Sequence, residues 1–202
     1  MDRNDPNVDF AVTFDTKVAP FQKINKLLKT LVKAYPSAGL GLMCWLSLAG
    51  QAHERTALGS MECIYADEQG NMKFEVLVVE GLCNARKVMH GSAMALVFDI
   101  CSSASMVAIS RPGYWAIDHR RDKEGDAQFV GVSRNLNVTA IRPAVVGSTV
   151  IVQVRPMHVG ARNALLECEM KEKDTGKLVS YGTHDMVNPG GMARERAARA
   201  KL

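Results

Sequence analysis

The stretch NARKVMHGSAMALVFD, residues 84–99, holds the residues best suited by type and spacing to do chemistry. It begins polar, turns apolar at the His90-Gly91 pair and then carries one carboxylate, Asp99. Its neighbours there are Ala95, Leu96, Val97, Phe98 and Ile100. Burying an unpaired carboxylate is costly, so Asp99 needs either a partner or a task. The other polar groups in apolar company are Asn84, His90 and Ser133. Several other chemistries are missing. GVSRN lacks the second glycine of a nucleophile elbow, and neither a phosphate-binding P-loop nor H-E-x-x-H occurs.

Spacing adds a geometric condition. A helix that starts near His90 leaves the Gly91 amide as an unpaired donor at the positive end of the helix dipole, able to hold negative charge developing on a carbonyl oxygen. An ordinary helix start that needs a cap explains the same residues equally well. Asp99 lies eight residues beyond Gly91, about 12 Å along a straight helix. A carboxylate at that distance cannot act on a carbonyl held at Gly91 of its own chain. An antiparallel second copy of the helix would bring its Asp99 to this Gly91, so the spacing argues for a site shared between two subunits.

The elements that must position these residues follow from periodicity. After Pro20, the stripe Phe21, Ile24, Leu27, Leu28, Leu31, Val32 and Tyr35 predicts an N-terminal helix ending at Pro36, with Lys23, Lys26, Lys29 and Lys33 on its solvated face. The run 38–50, AGLGLMCWLSLAG, is too short to cross a bilayer; its G-L-G lacks the strand and third glycine of a dinucleotide loop, so it reads as a packed helix or loop. Residues 60–67 and 71–80 read as a hairpin turning at EQGN. The run 91–109 is apolar nearly all round, which predicts a helix buried on every side, and Asp99 with several serines argues against a membrane span. A polar loop follows. Residues 129–141 alternate Val130, Val132, Leu136, Val138 and Ala140 with Gly131, Ser133, Asn135, Asn137 and Thr139, a strand whose polar face includes Ser133. Further strands are predicted at 149–158, 163–173 and 177–187. The order predicts an α+β chain, one antiparallel sheet wrapped round one long central helix, with an N-terminal helical extension over 1–59, a central domain over 60–188 and a basic tail over 189–202.

Three patterns together carry a family resemblance. They are N-x5-HG-x7-D (Asn84, His90, Gly91, Asp99), GVS-x3-N-x-T-x3-P (131–143) and DTGKLV-x2-G-x-H (174–184). In this order and spacing the chain resembles, over roughly residues 60–187, the hotdog-fold acyl-CoA thioesterases of the small phenylacetyl-CoA and thioesterase-superfamily branch. It departs at Ser92, where the family usually has a second glycine, and at Lys87, where it often has one. The resemblance implies hydrolysis of an acyl-CoA thioester without metal or redox cofactor. Asp99 would serve as general base or nucleophile, the Gly91 amide as oxyanion donor and Ser133 as the group that positions water. Asn84 would donate to the carbonyl or fix its loop, and His90 would hold structure or carry a proton. Contacts to CoA are implied at Arg142 and Pro143 and in the turn carrying His158, Gly160 and Arg162, since phosphates call for arginine. Arg120 and Arg121 are looser candidates. A hotdog hydratase or dehydratase, with His90 moving the proton, and a non-catalytic acyl-CoA-binding module are the rival readings. Relatives of this branch are commonly tetramers, so a homodimer or dimer of dimers is expected.

Composition sets outer bounds. The 202 residues suffice for one substantial core, and 47% apolar with 23% charged residues suits a soluble globular chain. A net charge of +4 is too weak to imply nucleic acid but suits an anionic small molecule. Five scattered cysteines without C-x-x-C point to a reducing compartment, and five dispersed histidines to no metal site. The acidic, polar start lacks a secretory pattern. The ending Ala200-Lys201-Leu202 is a conservative variant of the Ser-Lys-Leu address read by the peroxisomal import receptor, so the peroxisome, otherwise the cytoplasm, is expected.

Overall fold

The structure, a computed structural model, describes residues 51–110, 114–115 and 131–188, together with residues 22, 24–26, 28 and 29. The run 38–50, the candidates Arg120 and Arg121, and the tail with Ala200-Lys201-Leu202 lie outside the described residues, as do the first two positions of the strand predicted at 129–141.

Helix α1 (Gln51–Gly59) leads into β1 (Met61–Ala66) and β2 (Met72–Leu77), and a 3-10 turn (Glu80–Leu82) precedes the long helix α2 (Gly91–Ile109). Then come β3 (Val132–Ala140), β4 (Thr149–Val159), β5 (Asn163–Glu172) and β6 (Leu178–Val187). All strand pairs are antiparallel, in the spatial order β1-β2-β4-β5-β6-β3. This is the α+β architecture that the periodicity predicts.

The sheet's inner face is built by strict alternation. Val150, Val152 and Val154 of β4 and Ala164, Leu166, Cys168 and Met170 of β5 point inward, while Glu167, Glu169 and Lys171 point out. That face wraps α2, whose Ala93, Val97, Phe98, Cys101, Ala104 and Met106 are all buried. A helix apolar on nearly every side finds enough partners only inside such a sheet. By length and composition α2 could cross a membrane, and here 61% of that window is buried in the fold. Glycine sets the closest approach. A Cβ on Gly182 of β6 would lie 2.9 Å from the Phe98 ring and 2.5 Å from the Asn137 carbonyl oxygen. The cysteines Cys63 and Cys168 lie in this core, where burial pushes their thiols up to about 11 and about 12, so they behave as small apolar residues.

The N-terminal helix predicted from the Pro20–Pro36 stripe is present at the described residues, with Ile24 and Leu28 buried and Lys26 and Lys29 exposed. Asn25 lies between them and pairs with β1 like a strand, donating from Nδ2 to the Cys63 carbonyl (2.7 Å) and accepting from the Cys63 amide (2.8 Å).

Helix α1 lies within the helical extension expected over 1–59 but at a place no periodicity picks out; among its described side chains Ala57 and Leu58 are the buried apolar ones. One expectation needs correction. The alternation across 129–141 puts Ser133 on the polar face, but β3 bulges between Ser133 and Asn135. Arg134 is the extra residue and turns outward to pair with Asp185. Ser133 therefore faces inward, opposite the buried Met186, on the same side as Leu136 and Val138.

Candidate active site

Asp99 sits midway along α2 on a half-buried stripe with Ala95 and Ser103. Ser133 donates from Oγ to its Oδ1 at 3.3 Å, and His184 of β6 brings Nε2 to 3.6 Å of the same oxygen, just beyond hydrogen-bond reach. Burial pushes the Asp99 carboxyl above the usual carboxylate range; the nearby His184 and the Ser133 hydrogen bond oppose that rise. Burial pushes His184 below the ordinary imidazole value, against the pull of Asp99 and Asp185. Both groups are thus driven toward their uncharged forms.

His184 is fully buried, and its Nδ1 lies 2.6 Å from Ser102 Oγ. Ser102 has a single proton, and the Phe98 carbonyl one turn back is its acceptor at 2.6 Å. Nδ1–H must then donate to Ser102, which turns the Nε2 lone pair toward Asp99. Asp99 and His184 thus face each other across 3.6 Å without a hydrogen bond between them. Sequence reasoning gave His184 and Ser102 no role. The available signal was an inward histidine between Gly182 and Met186, since a buried polar ring needs partners.

The start of α2 forms the second cluster. His90 is its N-cap: Nδ1 accepts from the Ser92 amide (3.1 Å) and lies 2.6 Å from Ser92 Oγ. With Nδ1 accepting, the ring proton sits on Nε2. The Gly91 amide has no acceptor among the described residues, and a Cβ on Gly91 would meet nothing within 4 Å, so the approach to this donor is open. Asn84 closes the preceding turn. Its Oδ1 accepts from the Arg86 amide (2.9 Å), its carbonyl accepts from the Lys87 amide, and Nδ2 has no partner among the described residues. Lys87, where the resembled family often has glycine, adopts the left-handed φ of +58° itself and pairs with Glu80.

The remaining candidates sort by strand register. Arg142 and Pro143 follow the end of β3, where Ala140 pairs with Ser180 and the Arg142 guanidinium donates to the Leu178 carbonyl (2.7 Å). Val88 bridges Val145 and the Met89 amide donates to the Ala144 carbonyl, so the Asn84–Gly91 cluster lies at this same end. His158, near the end of β4, and Gly160 and Arg162 of the β4–β5 turn lie at the other end, beside Asn163, Val187 and Val132. Within one chain the candidates thus form two sets: Asp99 and Ser133 with the β4–β5 turn, and Asn84, His90 and Gly91 with Arg142 and Pro143. The chain does not bring the two sets together. About 12 Å of helix separates Gly91 from Asp99, and roughly 25 Å of strand separates Arg142 from Ser133. Among the described residues no three of His, Cys, Asp or Glu are grouped to hold a metal ion.

Comparison with known proteins bears on this arrangement. Residues 87–179 match the thioesterase superfamily. Acyl-coenzyme A thioesterase 13 from Homo sapiens is 25% identical over 115 residues, covering 57% of this chain and 71% of that protein. Its Mus musculus counterpart is 24% identical over 110 residues, covering 54% and 67%. Among solved structures, thioesterase superfamily member 2 from Mus musculus superposes with a TM-score of 0.59 at 18% identity, covering 84% of this chain and 98% of that one. The zebra fish thioesterase superfamily member 2 gives 0.56 at 21% identity, covering 79% and 96%. A hypothetical thioesterase from Streptococcus pneumoniae, solved with coenzyme A, gives 0.53 at 14% identity, covering 69% and 95%. These structures share the fold.

Proposed function

Because residues 87–179 form a thioesterase-superfamily domain, we propose that this chain hydrolyses an acyl-CoA thioester to the free acid and CoA, in sites each built from two copies of the chain. One observation carries the proposal: among the described residues the candidate groups fall into two sets, one at the start of α2 beside the far end of β3 and the other midway along α2 beside the start of β3. The Asp99 end has a base or nucleophile with its polar supports and no oxyanion donor. The Gly91 end has a donor, and the carboxylate described beside it, Glu80, is paired with Lys87.

An antiparallel pair of α2 helices would join the two halves twice, once at each end of the pair. The stripe around Asp99 suits that approach, since Ala95 and Ser103 are small and only half-buried. In each joined site the partner's Gly91 amide, with Asn84 Nδ2 beside it, would hold the carbonyl oxygen as negative charge develops there. Asp99 would then take a proton from a water that attacks the carbonyl carbon and expels the thiolate, or attack that carbon itself to give a mixed anhydride that water opens to the free acid and the regenerated carboxylate. Ser133 would orient the carboxylate and the water. His90 caps the helix that presents the amide. The released thiolate leaves as CoA, whose phosphates would meet Arg142 from one copy and the His158–Arg162 turn from the other. The chemistry uses side chains, backbone amides and water, with neither metal nor redox cofactor.

A panel of acyl-CoAs mixed with the protein and a thiol-reactive dye tests the reaction. Thiol release is the expected result. A change at the acyl double bond without thiol release would make the protein a hydratase, and binding alone would make it a carrier or sensor.

Subunit complementation tests the shared site. Asp99→Asn and Asn84→Ala lie in opposite halves, and loss of a general base alone costs about 10²–10⁴ in rate. In a mixed dimer one site collects both lesions and the other is intact. Random mixing makes half of the dimers mixed, so unfolding, mixing and refolding the two inactive variants restores about a quarter of wild-type activity. A mixture as inactive as its parents, with mixed dimers demonstrably formed, would place both residues in one chain's site.

A further inference from the structure

The β4–β5 turn is held in place by its own carbonyl groups. Val159 O accepts from the Tyr114 hydroxyl (2.9 Å) and Gly160 O from Trp115 Nε1 (2.8 Å). Ala161 O accepts from Asn188 Nδ2 (3.1 Å) and Arg162 O from the Asn188 amide (2.7 Å). Four consecutive carbonyls of one surface turn are thus bonded from outside it, two by the segment after α2 and two by the end of β6. A hairpin tip ordinarily leaves such carbonyls to water and stays mobile. Trp115 is 1% exposed and holds a φ of +49°, a backbone conformation bulky residues rarely adopt unless their surroundings dictate it. Its ring fills the space above Gly131, where a Cβ would lie 2.6 Å from Cζ3, and Gly131 is two residues before Ser133. One indole therefore spans from the strand that supports Asp99 to the turn that carries His158 and Arg162.

Resting on the acyl-CoA reading above, we infer that Tyr114 and Trp115 are positioning residues for the nucleotide end of CoA: they fix the 158–163 turn so that His158 and Arg162 meet the phosphates without first being ordered. His158, Ala161, Arg162 and Asn163 are exposed, so the turn's side chains face outward while its backbone is held from behind. Recognition of a phosphate by arginine gains from a backbone that is already in place, because less freedom is lost on binding. On this inference the turn would serve the phosphorylated nucleotide rather than the reacting thioester.

Two variants separate the donors from the bulk. Trp115→Phe keeps an aromatic ring over Gly131 and removes the bond to Gly160, and Tyr114→Phe removes only a hydroxyl. Calorimetry with free CoA reads the turn directly. Each variant is expected to weaken CoA roughly three- to tenfold, as loss of one neutral hydrogen bond would. Hydrolysis of the best acyl group in the panel, carried on CoA and on pantetheine, supplies the contrast: KM for the CoA substrate rises while kcat and the pantetheine substrate are unchanged. Unchanged CoA affinity in both variants, absence of CoA binding by the wild type, or equal losses on both substrates would overturn the inference. Weakened CoA binding by a protein that releases no thiol would uphold it and overturn the hydrolytic reading instead.

Discussion

Asp99 and His184 approach to 3.6 Å, and burial drives each toward its uncharged form. As a base or nucleophile Asp99 must be ionised, so activity is lost as pH falls through its pKa. Burial raises that pKa, so the acid limb of kcat/KM lies above the usual carboxylate range. Ser133 donates to the ionised form and holds the value down. Ser133→Ala should therefore move the acid limb to higher pH and lower the plateau, which a pH–rate profile reads directly. An unmoved limb would mean that Ser133 does not act on Asp99. Asp99 was visible in the sequence because it is one charge in an apolar run. His184 closes one of the three quoted patterns, but its role was not legible there, because a strand histidine does not say which side chain on another element it faces.

At the scale of elements, Gly182 decides how closely β6 and β3 can wrap α2. Gly182→Ala puts a methyl group 2.5 Å from the Asn137 carbonyl oxygen and 2.9 Å from Phe98, one residue from Asp99. Overpacking of this kind costs about 1–3 kcal/mol and should lower the melting temperature measurably. A Tm equal to wild type would show that the helix can shift away without penalty. The strands beside Gly182 were largely legible: β4, β5 and β6 fall within a residue or so of the boundaries that alternation predicts. Alternation fails where one residue is added. The bulge at Arg134 reverses the facing of Ser133, and no local pattern announces it. Helix α1 escaped notice because its buried residues are few, and the Trp115 contact because it links segments 45 residues apart. Periodicity reports burial along an element; it carries no information on which distant turn a side chain reaches.

At the scale of the whole molecule, the proposed division of the site between the start and the middle of α2 would tie activity to assembly. Light scattering of the purified chain should show a dimer or a larger even-numbered assembly, and dilution below the dissociation constant should remove activity together with mass. A stable monomer with full activity would overturn the divided site. The asymmetry of the two sheet margins also bears on how such an assembly ends. At β1 the Asn25 amide occupies both backbone groups of Cys63, whereas β3 bears no neighbouring strand among the described residues. A sheet open at both margins can add copies indefinitely and grow into a fibre. With Cys63 paired at one margin, a copy that joins through β3 leaves only β1 margins already engaged at that residue, so the sheet itself is expected to stop extending. On this reading Asn25 would act as a chain terminator for the sheet, and Asn25→Ala should turn a particle of fixed mass into one whose mass rises with concentration.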